Sequence, residues 1–93
     1  METKWLEDFV SLAETCSFRR SAQLHHVTQS AFSRRIQSLE AWAGVDLVDR
    51  SSHPTRLTEA GATLYPKAME LLEALHNTRA ALRCHNDPDQ NAV

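Results

Sequence analysis

Two short amphipathic segments parted by a turn of a few residues, an alternating apolar stretch just behind them, and a final run with heptad spacing predict a mainly α fold. Together they describe a winged helix-turn-helix with a small two-stranded wing and a long C-terminal linker helix. The chain divides accordingly into 1–58 for the winged helix-turn-helix, 59–85 for a linker and dimerisation helix, and 86–93 for a polar, disordered tail. With 93 residues, 42% hydrophobic and 24% charged, it has the make-up of one small globular domain. Its core is modest, which leaves oligomerisation as a source of extra stability.

The first helix is expected from about Thr3 to Thr15. Trp5 or Leu6, Phe9, Leu12 and Ala13 form its apolar stripe. Glu2, Glu7 and Asp8 fall near its N-terminal end, where the helix dipole favours anions. Ser17 is an N-cap residue type, and opens a short helix from Phe18 to His25 or His26 with Ala22 and Leu24 facing inward. Val27 interrupts, and Thr28 caps the next helix, which Gly44 ends.

That third helix has two unlike faces. Phe32, Ile36, Leu39 and Ala43 share one apolar sector, with Trp42 at its edge. Ser30, Ser33, Arg34, Gln37, Ser38 and Ala41 lie opposite, with no acid among them. A solvated helix face ordinarily mixes Glu with Lys. Small hydrogen-bonding side chains around an arginine suit close approach to base edges in a groove.

Val45, Leu47 and Val48 then alternate with Asp46 and Asp49, and Thr55-Arg56-Leu57 follows a loop of about four residues around Ser52-His53-Pro54. This is the wing. Thr58 caps a long helix in which Leu64, Ala68, Leu71, Leu75, Thr78 and Leu82 alternate spacings of four and three, a dimerisation seam. From Glu59 to Arg83, at 1.5 Å per residue, the helix spans ~37 Å, longer than a small domain's own core requires. Pro66 is expected to kink it or free one backbone acceptor.

The net charge of −2 hides a division along the chain. Residues 1–16 set Lys4 against Glu2, Glu7, Asp8 and Glu14, for −3. Residues 17–58 set Arg19, Arg20, Arg34, Arg35, Arg50 and Arg56 against Glu40, Asp46 and Asp49, for +3. The remainder carries −2. The central cations are all arginine, the side chain suited to phosphate and guanine.

Other function classes find little support. Cys16 and Cys84 stand alone, the adjacent His25 and His26 point in different directions on a helix, and His76, Cys84 and His85 make no recognised ligand spacing, so no metal and no cofactor are expected. No paired carboxylates, Ser/His/Asp arrangement or glycine-rich phosphate loop asks for an enzyme. No apolar run approaches the ~20 residues that span a membrane, and the first residues lack a signal peptide's pattern, so the expected compartment is the cytoplasm.

Five segments, in order and in register, carry a family resemblance. They are Phe9-Val-Ser-Leu-Ala-Glu, Ser17-Phe-Arg-Arg-Ser-Ala, Val27-Thr-Gln-Ser-Ala-Phe-Ser-Arg-Arg-Ile-Gln-Ser-Leu-Glu, Gly44-Val-Asp-Leu-Val-Asp-Arg and Leu57-Thr-Glu-Ala-Gly61. Over roughly residues 3 to 83 the chain resembles the N-terminal domain of LysR-type transcriptional regulators. The resemblance implies a homodimer through antiparallel linker helices, with tetramers when an effector domain follows, bound to an interrupted dyad in double-stranded promoter DNA. It places the segment Thr28–Arg34 in the major groove, with Gln29, Ser33 and Arg34 as readers, and gives Arg50 a phosphate beside the wing. It also implies that this chain is either an excised domain or a natural short form, without an inducer pocket. The family commonly has proline where Ser30 stands and a basic, glycine-containing wing tip where Ser52-His53-Pro54 stands, which predicts a weaker or pH-sensitive wing contact through His53. Val48 replaces a residue that is often aromatic, a change of packing.

Chemistry then distributes the roles. Gln29 suits a bidentate bond to an adenine edge and Arg34 to a guanine, with Ser30, Ser33 and Gln37 making adaptable or water-bridged contacts. Ser17 and Thr28, at helix starts, suit phosphates. Arg19, Arg35, Arg50 and Arg56 suit the sequence-blind electrostatic term, while Arg20 or Arg35 has the alternative of an intrachain acid such as Glu40. The rival reading is a winged-helix module that meets an acidic protein partner and dimerises through residues 64–82.

Overall fold

The computed structural model describes residues 1–85, as four helices and a two-stranded sheet in the order α1 (Thr3–Thr15), α2 (Phe18–Leu24), α3 (Gln29–Ala43), β1 (Val48–Asp49), β2 (Arg56–Leu57) and α4 (Glu59–His85). The expected tail at 86–93 lies outside the described residues. None of the described helices is long and apolar enough to cross a membrane.

Each helix boundary has a local cause. Cys16 takes the left-handed conformation at φ 57° and its amide closes on the Leu12 carbonyl, ending α1. Ser17 Oγ accepts from the Arg20 amide and Thr28 Oγ1 from the Ala31 amide, so both expected caps form. Between them His26, at φ 55°, turns the chain, and the Val27 amide returns to the Ala22 carbonyl. Gly44 at φ 77° ends α3 with its amide on the Glu40 carbonyl.

One core joins these elements. Leu6, Phe9 and Leu12 from α1 meet Ala22 from α2, Phe32, Ile36 and Leu39 from α3, Leu47 and Val48 at the wing, and Ala68 from α4. Phe18 covers one end, its ring edge-on to Phe32 at 6.1 Å between centroids. Four placements need correction. Leu24 is 58% exposed, because α2 ends with it and His25 turns toward the core in its place. Ala43 and Trp42 are exposed, in the last turn of α3 beyond Leu39, its last core residue. Asp8, expected at a solvated helix start, is fully buried.

The wing is smaller than its alternating pattern suggests. Its strands have two residues each and pair antiparallel, Val48 with Leu57 and Asp49 with Arg56. The Leu47 amide turns to the Glu40 carboxylate and the Val45 amide to the Glu40 carbonyl, and the ladder begins only at Val48. The loop therefore runs over residues 50–55, longer than the expected four, and the Thr55 amide ties its return to the Cys16 carbonyl.

Thr58 joins wing to linker helix. Its hydroxyl donates to the Asp46 carbonyl at 2.6 Å and accepts from the Gly61 amide at 3.1 Å, while its amide donates to the Leu47 carbonyl. Gly61 packs flat on this junction. A Cβ there would lie 2.0 Å from the Leu47 carbonyl oxygen. Alanine ordinarily gains up to ~1 kcal/mol over glycine inside a helix; here overpacking, worth ~1–3 kcal/mol, wins. Gly61→Ala is expected to lower stability by about 1–2 kcal/mol in urea denaturation, and a gain would disprove the close approach.

Helix α4 continues unbroken through Pro66, which leaves the Ala62 carbonyl without its usual donor on an exposed turn, where water can serve it. The expected seam divides. Ala68 is buried and Leu64 packs against the domain's own core, so the first two seam residues serve intrachain packing. Leu71, Leu75 and Leu82 are each at least half exposed, and Thr78 lies exposed between them.

Candidate nucleic-acid interface

The acid-free face of α3 is where the sequence-predicted readers meet. Gln29, Ser30, Ser33, Arg34 and Gln37 line one shallow polar concavity on the protein surface. Their spacing of one, three and four residues puts them on adjacent turns of one helix face. Ser38, on the same side, instead turns its hydroxyl back to the Arg34 carbonyl at 3.0 Å. Arg34 is exposed and, among the described residues, enters no ion pair.

A second hollow adjoins the first, with Gln29 common to both. It gathers Ser17, Arg19, His53, Pro54 and Thr55 around Cys16 and Phe18. The start of α2, the start of α3 and the wing tip thus form one continuous surface. The hydrogen bond that the Thr55 amide donates to the Cys16 carbonyl, 3.1 Å, ties the wing to the α1–α2 corner. Ser17 contributes less free hydrogen-bonding capacity than its cap position suggests, since its own amide donates to Thr15 Oγ1 at 3.2 Å. Arg19 is exposed, as is Thr28 at the mouth of α3.

Of the remaining central arginines, Arg35 and Arg50 face acids, while Arg20 and Arg56 are exposed. Arg56 stands across the wing ladder from Asp49. The Ser51 hydroxyl and amide, with Arg56 adding attraction, hold the exposed Asp49 carboxyl below its usual value. Arg50 lies 2.8 Å from Glu40 Oε1 and places its guanidinium over the Phe18 ring at 5.5 Å. Glu40 is thus the partner of Arg50, not of Arg20 or Arg35. Its other oxygen accepts the Leu47 and Val48 amides at 2.8 and 3.3 Å, so one nearly buried carboxylate anchors the wing to the back of α3.

Arg35 turns away from the concavity. It faces Asp8 of α1 across 3.5 Å, and His25 Nδ1 faces the other oxygen of the same carboxylate at 3.4 Å. Burial pushes the Asp8 carboxyl above its usual value, against the attraction of Arg35, His25 and Lys4. Sequence reasoning missed this acid's place, although a signal existed. Asp8 stands three residues after Trp5 and four before Leu12, on the apolar stripe of α1.

Among the described residues, no three His, Cys, Asp or Glu side chains converge where they would hold a metal ion. An apolar groove runs between α1 and α4, where Glu7 and Leu72 adjoin Leu75, Thr78 and Leu82. Glu7, Val10, Leu24 and Leu72 continue it along α1.

Residues 3–62 match the family described as bacterial regulatory helix-turn-helix protein, lysR family. The HTH-type transcriptional regulator YjiE of Escherichia coli K12 is 39% identical over the whole chain, which spans 31% of YjiE. Vibrio fischeri DarR, solved in complex with DNA, superposes with a TM-score of 0.91 at 41% identity over 92% of this chain and 30% of that one. The BenM DNA-binding domain, solved with catB site 1 DNA, gives 0.89 at 31% identity over 92% of each chain.

Proposed function

This chain belongs to the LysR family of bacterial regulatory helix-turn-helix proteins, and from that membership we propose that it binds double-stranded promoter DNA as a homodimer and reads sequence through α3. The observation that carries the reading is the acid-free concavity lined by Gln29, Ser30, Ser33, Arg34 and Gln37. Five hydrogen-bonding side chains on one exposed helix face can meet the donors and acceptors of base edges in a major groove. Arg19, Ser17, Thr28 and His53 border that face and suit phosphates, with the sequence-blind, salt-dependent share of the affinity. Arg50 adds positive potential while paired with Glu40, and Arg56 adds it from the exposed face of the wing. The role is one of binding, with no catalytic step assigned to any residue.

The partner of the outer half of α4 is a second copy. Leu75, Thr78 and Leu82 line an apolar groove, and α4 continues past the last residue its own domain buries. Two such helices laid antiparallel bury these faces together and give the dimer a two-fold axis, which a dyad in the DNA would mirror. Leu64 and Ala68 contribute to this seam by fixing the base of α4 on its own core. The chain spans less than a third of YjiE's length.

In vitro selection from a random duplex pool, run beside sedimentation of the free domain, tests the proposal. Enrichment of an interrupted dyad by a dimer is expected. A pool without enrichment would sink DNA reading and favour an acidic protein partner. Arg34→Ala is expected to cost ~1–3 kcal/mol on the selected site and to relax preference at one base position, with little change on random DNA. Equal losses on both would show that Arg34 holds phosphate only.

A further inference from the structure

We infer that Arg35 is a positioning residue: with Asp8 of α1 and His25 at the end of α2, it sets the rotation of α3, so that base selectivity depends on an acid that touches no DNA. The inference rests on the proposed DNA reading for its functional consequence. Its structural basis is separate from that reading.

The Asp8 side chain is 0% exposed, whereas Arg35 and His25 retain 27% and 23%. A carboxylate removed from water needs a partner, and the basic side chains that face it are Arg35 from α3, His25 from the end of α2 and Lys4 from α1 itself. Each of the three helices of the helix-turn-helix therefore supplies a member of the cluster. Neither close contact has hydrogen-bond geometry, since both Asp8 oxygens and Arg35 Nη1 are buried without a hydrogen-bond partner. Such a cluster adds little stability over apolar packing of the same volume. What it adds is direction. Phe32, Ile36 and Leu39 tolerate small rotations of α3, because apolar contact is non-directional. A charge facing a buried charge does not. Arg35 follows the proposed reader Arg34 immediately, so a rotation that moves Arg35 off Asp8 carries Gln29, Ser33 and Arg34 round by the same angle. His25 reinforces the setting, its ring lying 5.9 Å from that of Phe32.

The alternative is that Arg35 swings out to a phosphate, and the two roles separate cleanly. Asp8→Asn, Arg35→Gln and the charge-free pair Asp8→Leu/Arg35→Met are compared with the parent on the selected duplex and on random duplex across a salt series. The pair leaves no stranded buried charge and keeps the question open to test even where a single variant does not fold. Positioning predicts a loss of selected-over-random preference of roughly tenfold in each folded variant, including the pair. It also predicts random-duplex affinity and salt slope unchanged. A salt slope smaller by about one in Arg35→Gln, with Asp8→Asn as selective as the parent, assigns Arg35 to phosphate and overturns the inference. So does a charge-free pair with the parent's selectivity. Amide hydrogen exchange along α3 without DNA supplies the structural arm: faster exchange from Gln29 to Gln37 in the pair is expected, and unchanged protection overturns the inference. Failure of the parent itself to select any sequence sinks the DNA reading and leaves that arm to decide the positioning.

Discussion

Arg35→Gln lowers the stability of this domain by about 3 kcal/mol at neutral pH, the low end for breaking a buried pair because the contact is long. For a chain of this size that is a fall in Tm of more than ~10 °C. The asymmetry of burial sets the effect. Losing Arg35 strands a carboxylate with no exposed atoms, whereas Asp8→Asn leaves an arginine that is 27% exposed and can turn to water. Asp8→Asn is therefore the milder change. Acid moves the two states in a known direction. Burial already holds the Asp8 carboxyl above 3.8, and removing Arg35 deletes the largest attraction that opposes the shift. A group with a raised folded value binds its proton more tightly in the native state. Its contribution is fully present below the unfolded value and is lost as pH rises through the folded one. The deficit of Arg35→Gln against the parent is thus greatest at neutral pH and shrinks on acidification toward pH ~4. Urea denaturation of both proteins across that range measures it. A deficit independent of pH, or an equal loss in Asp8→Asn, would remove Asp8 as the cause.

Glu40→Ala carries a comparable cost by another route. Its Oε2 is the acceptor for two buried amides, Leu47 and Val48, and an unserved buried donor costs ~1–3 kcal/mol. Arg50 loses its 2.8 Å partner as well, although its side chain is 35% exposed and recovers part of that loss in water. A total of about 3 kcal/mol follows, concentrated where the wing leaves α3. Glu40→Gln keeps a carbonyl oxygen for the amides and is expected to restore more than half of the loss. Amide exchange at Leu47 and Val48 reports the site directly. Should Glu40→Ala leave those amides protected, the anchoring role is wrong.

These two acids mark where sequence reasoning stopped. The helix boundaries followed from side chains that act on their own backbone: Ser17, Thr28 and Thr58 as caps, Gly44 as a left-handed terminator. So did the stripe of α1 and the acid-free face of α3, because helical spacing alone fixes which residues share a side. The family resemblance converged on the same elements. Partner choice was a different matter. Six arginines and three acids in residues 17–58 admit many pairings, and only the packing of α1 behind α3 brings Asp8 within reach of Arg35 and leaves Glu40 to Arg50.

Periodicity and capping thus determined, from sequence by itself, that this chain forms a helix-turn-helix, where α2, α3 and α4 begin, and which face of α3 stays out of the core. Those signals arise within about four residues, inside one helical turn. The tertiary structure decided which charges are buried, how far the wing extends, and that the seam of α4 is buried at Ala68 but exposed at Leu71, Leu75 and Leu82. Burial and charge pairing depend on residues distant in the chain but adjacent in space, and no local pattern encodes that distance. Asp8 is the plainest case. Its spacing put it on the inward face of α1, but only the arrival of His25 and Arg35 from two other helices explains how a carboxylate can stay there.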